Sequence, residues 1–136
     1  MYKKLLPFLF LLLSGKVLAL NFPIEITEYF DDVKINAYVN KSDINDKSQW
    51  TPFKSPPPLS IPDALKAVET YISSDTSYVD TTLTEIELKR IPHHETYWHY
   101  LVKIKSTVDD AVQPHFFVVL MDGKVISAIK LPEAIK

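Results

Sequence analysis

The chain of 136 residues has no cysteine and only two glycines, against ten prolines. Without cysteine there is no disulfide framework, thiolate metal site, cysteine nucleophile or lipid-bearing cysteine anchor. The shortage of glycine excludes phosphate cradles and dinucleotide fingerprints, which need several residues at unusual dihedrals close to a phosphate. One glycine, Gly15, lies in a segment laid out as an export signal. Lys3 and Lys4 precede the apolar run Leu5 to Leu13, and Val17-Leu18-Ala19 offers the small or aliphatic residues that a signal peptidase reads. That run is far shorter than the roughly twenty residues a membrane-spanning helix needs. A buried first helix is the alternative, and Pro7 with the flanking lysines argues against it.

Residues 1–19 therefore read as a removable signal peptide, leaving a mature chain without a membrane anchor. Its removal leaves Gly123 as the sole glycine and twelve basic against seventeen acidic residues, a net charge of −5 with histidine neutral. An acidic surface repels phosphate backbones, so nucleic acid is not an expected partner. A disulfide-free exported protein fits a bacterial periplasm, or secretion.

Along the mature chain the apolar pattern predicts a single α+β domain. Over 20–58, the alternation in Ile24 to Thr27 and Val33 to Val39, with Asp31-Asp32 between, predicts an N-terminal hairpin. A polar loop then leads to Trp50-Thr51-Pro52-Phe53, and Pro56-Pro57-Pro58 forbids helix and favours an extended strap. Trp50 and Phe53 either pin this strap to the domain body or wait for a partner.

The core is expected over 59–136. Ser60 caps a helix with Pro62 in its first turn, and Ile61, Ala64, Leu65, Val68 and Ile72 share one face. Four strands are expected next. Thr82 to Ile91 has one wet face, carrying Glu85, Glu87 and Lys89. Tyr97 to Lys105 sets Trp98, Tyr100, Val102 and Ile104 against Tyr97, His99, Leu101 and Lys103. His115 to Met121 is apolar on both faces and reads as central; Lys124 to Leu131 completes the set. Asp122-Gly123 reads as a two-residue loop with both residues at positive φ. The expectation is one helix packed on a curved antiparallel sheet of four or more strands. Its second face would be covered by the hairpin, the strap or another subunit.

No catalytic constellation emerges. His93, His94 and Glu95 fall in a turn, and His99 and His115 sit at opposite ends of paired strands, roughly 20 Å apart. No metal or other cofactor is expected. There is no Gly-x-Ser-x-Gly elbow, and the pairs Asp31-Asp32 and Asp109-Asp110 suit turns.

The capped helix, the strand Tyr97-Trp98-His99-Tyr100-Leu101-Val102 and the closing segment Phe117 to Val125 resemble small exported bacterial domains of the PepSY-like and cystatin-like kind. The resemblance covers about residues 59–131 and implies a helix on an antiparallel sheet, with protein binding or peptidase inhibition as the role. The cystatin-type Gln-x-Val-x-Gly loop is absent, so no functional residue carries over. The expected function is non-enzymatic binding of another cell-envelope protein, through Trp50, Phe53, Tyr97 and His99. Two alternatives stand beside it: a ligand carrier or small enzyme with a pocket between helix and sheet, and a structural homodimer.

Overall fold

The computed structural model describes residues 22–132; the expected signal segment, with Gly15, lies outside them. Among the described residues the architecture is α+β, with one α-helix and two antiparallel sheets. The alternating runs near the N-terminus form β1 (Ile24–Phe30) and β2 (Val33–Val39), paired in register around Asp31-Asp32, with Asp31 at φ 54°. A helix, α1 (Ile61–Ser73), begins where the Ser60 side chain accepts a bond from the Asp63 backbone N–H, a cap worth about 1 kcal/mol. Three long strands follow: β3 (Thr82–Ile91), β4 (His94–Val108) and β5 (Ala111–Leu120).

The last expected strand is in fact two. β6 (Val125–Ser127) pairs with β5, while β7 (Ile129–Lys130) pairs with β2 in the other sheet. Ala128 makes the crossing, its N–H bonded to the Phe116 carbonyl and its small side chain packed in the core. The expected single sheet is therefore corrected to a sheet ordered β3-β4-β5-β6 and a second ordered β1-β2-β7.

The loop chemistry also differs from expectation. Asp122-Gly123 does not form a two-residue loop with two positive φ angles. Gly123 alone is left-handed, at φ 93°, and its N–H bonds the Leu120 carbonyl; four residues, Met121 to Lys124, join β5 to β6. The Asp122 carboxylate accepts from the Lys124 N–H, which fixes the turn locally. The loop with two positive φ angles is Asp109-Asp110 (50° and 62°), between β4 and β5. Two aspartates tolerate it because short acceptor side chains ease the left-handed region.

Strand β5 is central, with Phe116 to Leu120 fully buried on both faces. One face of the four-stranded sheet, with Tyr100, Val102, Ile104, Phe117 and Val119, meets Ala64 and Val68 of α1. The opposite face, with Leu101, Phe116, Val118 and Leu120, meets Ile24, Ile26, Ile35, Ala37 and Val39. The molecule is thus three layers, helix on sheet on sheet, and the second face is covered from within the chain.

Candidate functional site

The four residues expected to bind are held on different surfaces. The Trp50 ring packs edge-on against Trp98 at 5.1 Å, its Nε1 donates to the Ser55 carbonyl and its backbone N–H to Thr96. These contacts join Trp50 to β4 and to the Ser55 backbone. Phe53 stands fully in solvent at φ 71°, within the turn closed by the bond from the Lys54 N–H to the Thr51 carbonyl. Tyr97 is half-buried; its hydroxyl accepts from the Gln49 side-chain amide, and its ring meets His94 edge-on at 5.8 Å.

His99 is 1% exposed, so its side chain does not reach the surface. It lies in the layer between the sheets, beside Lys89 on β3. Both ring nitrogens lack a hydrogen-bond partner among the described residues. Burial first, and the Lys89 charge second, push its pKa down to about 4, so the imidazole is neutral at pH 7. Trp50 thus joins the helix side of β4 through Trp98, while Tyr97 and His99 project to the other side.

The carboxylates of the wet β3 face remain at least partly exposed and also join a network that reaches β1. Glu28 on β1 reaches Lys89 (3.2 Å) and Lys103 (3.6 Å), and Lys103 also meets Glu85 and Glu87. Burial alone would lower the Lys103 pKa, but Glu28 and the β3 glutamates outweigh it and hold the ammonium above the ordinary lysine range. These carboxylates are bridged by ammonium groups, an arrangement that ties layers together and offers no free acid–base pair.

One pairing escaped the sequence reading. The Ser106 hydroxyl and His115 Nε2 lie 2.7 Å apart across β4 and β5, with the Tyr78 ring on the imidazole at 5.0 Å. The signal was available in the Asp109-Asp110 loop, which sets the register of the two strands. A serine beside a histidine is the start of a nucleophilic dyad. Here Ser106 is fully buried, however, so its hydroxyl presents no face to a substrate. Among the described residues no group of three or more histidine, aspartate and glutamate side chains is placed to hold a metal ion. His99 and His115 are five strand positions apart in the register, about 16 Å, and share no site.

The open surface that remains lies between α1 and β3. The helix sits over β4, β5 and β6, and the apolar face of β3 is left partly uncovered. Ile61 and Leu83 are each about half exposed, at 50% and 48%. Two hollows lie along this line. One, of about 330 Å³, is walled by Pro56, Pro57, Ile61, Ile86, Leu88 and Tyr100. The other, of about 200 Å³, is walled by Leu65, Ile72, Leu83, Val102 and Ile104 among others. The Tyr100 hydroxyl beneath the first is already spent, donating to the Leu59 carbonyl at 2.6 Å. The groove is bounded by β3, which has a neighbour on one side only. Its outer backbone groups are therefore unpaired within the four-stranded sheet.

A third hollow, of about 550 Å³, lies between Phe22 to Thr27 and the Pro92 to His94 turn, where His93 adopts φ 65°. It is more polar, and Phe22, the first described residue, forms part of its wall. Among the described residues, no helix is long and apolar enough to cross a membrane. No family model, curated protein or solved structure matches the chain, so its function is read from its own geometry.

Proposed function

We propose that this protein is a non-enzymatic, exported protein-binding domain of the bacterial cell envelope, periplasmic or secreted, that captures an extended polypeptide along β3. The observation that carries the reading is the coincidence of a free strand edge with an apolar groove beside it. Strand addition needs both: unpaired backbone groups supply affinity, and hollows for alternate side chains supply selectivity. The first hollow is walled on β3 by Ile86 and Leu88 and the second by Leu83; Leu88 and Leu83 lie opposite Tyr100 and Ile104, four steps apart on β4 because a bulge at Leu83/Glu85 takes up one residue. Four ladder steps, about 13 Å, match an extended chain with apolar residues at alternate positions. We read β1–β2 as the expected N-terminal hairpin and residues 49–59 as the proline strap. The antiparallel register and the Trp50 contacts support both. A PepSY-like or cystatin-like ancestry accords with the helix laid on an antiparallel sheet, and peptidase modulation is one role such a groove serves.

The ligand-carrier alternative finds less support. The core beneath α1 is filled by Ala64, Val68, Tyr100, Val102 and Phe117, and the hollows lie at its rim, open along the sheet edge.

Titration of the isotopically labelled protein with synthetic eight-residue peptides tests the proposal. A peptide alternating apolar and polar residues is expected to shift the amides of Glu85 to Arg90, and the same peptide with central prolines to leave them unmoved. Equal responses to both peptides, or shifts confined to other surfaces, would sink the reading.

A further inference from the structure

We infer that the strand which occupies this edge is β3 of a second copy of the protein, paired antiparallel about a twofold axis at Leu88. The inference rests on the reading that the α1–β3 edge accepts an extended strand, and it names that strand. Within β3 the register to β4 is unbroken from Glu85 to Arg90. Ile86, Leu88 and Arg90 face the helix layer, opposite Val102, Tyr100 and Trp98, and Glu85, Glu87 and Lys89 face the other way. Directly opposed residues of an antiparallel pair share a face. Self-pairing must therefore set even-numbered residues against even and odd against odd.

Few registers meet that condition. An axis at Glu87 sets Glu87 against its own copy, and an axis at Lys89 does the same for the lysine. An axis at Ile86 opposes Glu85 and Glu87. An axis at Leu88 sets Glu87 against Lys89 of the second copy, and Lys89 against its Glu87. On the helix side it brings the two Leu88 side chains together, flanked by Ile86 against Arg90. It is the register centred within this stretch that joins opposite charges without opposing like ones, and directly opposed pairs are what stabilise or forbid a strand pairing.

The rest of the edge agrees. β3 is ten residues long and contains no proline, the device that commonly blunts an exposed edge. Its register irregularities fall outside the stretch, at Leu83/Glu85 and Arg90/Ile91. The exposed strand β1 bounds the other sheet, but it carries Glu25 and Glu28 with no cation, so self-pairing there has no charge match. Arg90 is held ready over the Trp98 ring at 5.2 Å. Joined this way, two four-stranded sheets become one of eight strands, and partly exposed Ile86 and Leu88 leave water. Six residues a side bury less than the roughly 1,200 Å² of a standard interface, so the dimer is weak and concentration-dependent.

The absence of native cysteine makes the register directly testable. On the axis the two Leu88 Cα atoms come within about 4.5–5.5 Å, inside disulfide range. Leu88→Cys is therefore expected to give a covalent dimer under mild oxidation. Ile86→Cys and Arg90→Cys should cross-link when mixed with each other and poorly alone. Sedimentation equilibrium of the unmodified protein should show mass rising toward twice the monomer with concentration. Lys89→Glu should weaken association roughly tenfold, the equivalent of two opposed pairs turned repulsive. Glu87→Lys combined with Lys89→Glu should restore it. Because Lys89 also meets Glu28, far-ultraviolet dichroism checks that each variant is folded. A protein that stays monomeric, with Leu88→Cys no more reactive than the exposed control Val112→Cys, overturns the dimer. If alternating peptides still shift β3 in that monomer, the strand-capture reading stands and only its occupant is wrong. If neither occurs, both fall.

Discussion

The two faces of the four-stranded sheet are closed by covers of different width, and the difference decides where surface is left over. A helix with its side chains is about 10 Å across, whereas four strands about 4.8 Å apart span roughly 14 Å between outer axes, before their flanking atoms are counted. One helix therefore seats over β4, β5 and β6 and leaves β3 only partly covered on that side. The β1-β2-β7 layer has a sheet's width. It reaches β3 as well, and it does so through charge, with Glu28 bridging to Lys89 and Lys103. The lesson is that a binding edge here needs no special motif. It follows from laying one helix on four strands.

The largest test of this contrast removes one core side chain from each face. Phe117→Ala takes away the ring on which Tyr71 and Tyr78 rest and should lose about 4 kcal/mol of stability; Leu101→Ala, on the opposite face, should lose about 3 kcal/mol. Urea denaturation reads both. A small loss at Leu101 would show that β1-β2-β7 is loosely applied and that the two covers are not equivalent.

Acid probes the second layer next. Native His99 binds its proton only near pH 4, whereas an unfolded histidine binds near 6.5. The unfolded state therefore holds more protons between those values, and stability falls as pH drops from about 6.5 toward 4. The full effect is about 3 kcal/mol and levels off below the folded value. His115, on the helix side, is also lowered by burial and adds loss of the same sign. In His99→Leu the greater part of the slope should disappear, with stability at pH 7 undiminished because two unpartnered ring nitrogens are gone. A variant with the parent's slope would place the acid sensitivity elsewhere.

The smallest effect is expected on the groove. Ile61→Ser changes a half-exposed side chain and should alter stability by less than about 0.5 kcal/mol. Peptide binding along β3 should nevertheless weaken, because Ile61 walls the larger apolar hollow. Undiminished binding would move the contact surface away from the helix rim.

Much of the fold was legible in the chain because it rests on local rules. Ser60 and Pro62 marked the helix start, alternation marked the strands, and the doubly apolar run to Met121 marked β5 as central. Pro114 fits inside β5 because β6 pairs only with Phe117 to Val119, leaving an edge at the proline. The split at Ala128 was not legible, since an alternating run looks the same whether its halves pair with one sheet or two. The site was less legible still. Tyr97 and His99 share a strand face, but what covers that face is set by β1 and β2, about sixty residues earlier. The exposed end of the α1 stripe gives no local signal either, because apolar spacing records which residues favour burial and not whether a partner strand lies within reach.

Local chemistry along the chain thus sets the elements: a capped helix, strands with defined wet and dry faces, and glycine or aspartate at most of the positions where φ turns positive. The tertiary structure alone decided which faces became interior. It buried His99 and gathered Glu28, Lys89 and Lys103 into one network, and it left β3 with an unpaired edge beside an apolar groove. The physical reason is that hydrogen-bonding patterns and dihedral preferences act over a few residues. Burial depends instead on the relative widths of layers assembled from distant parts of the chain.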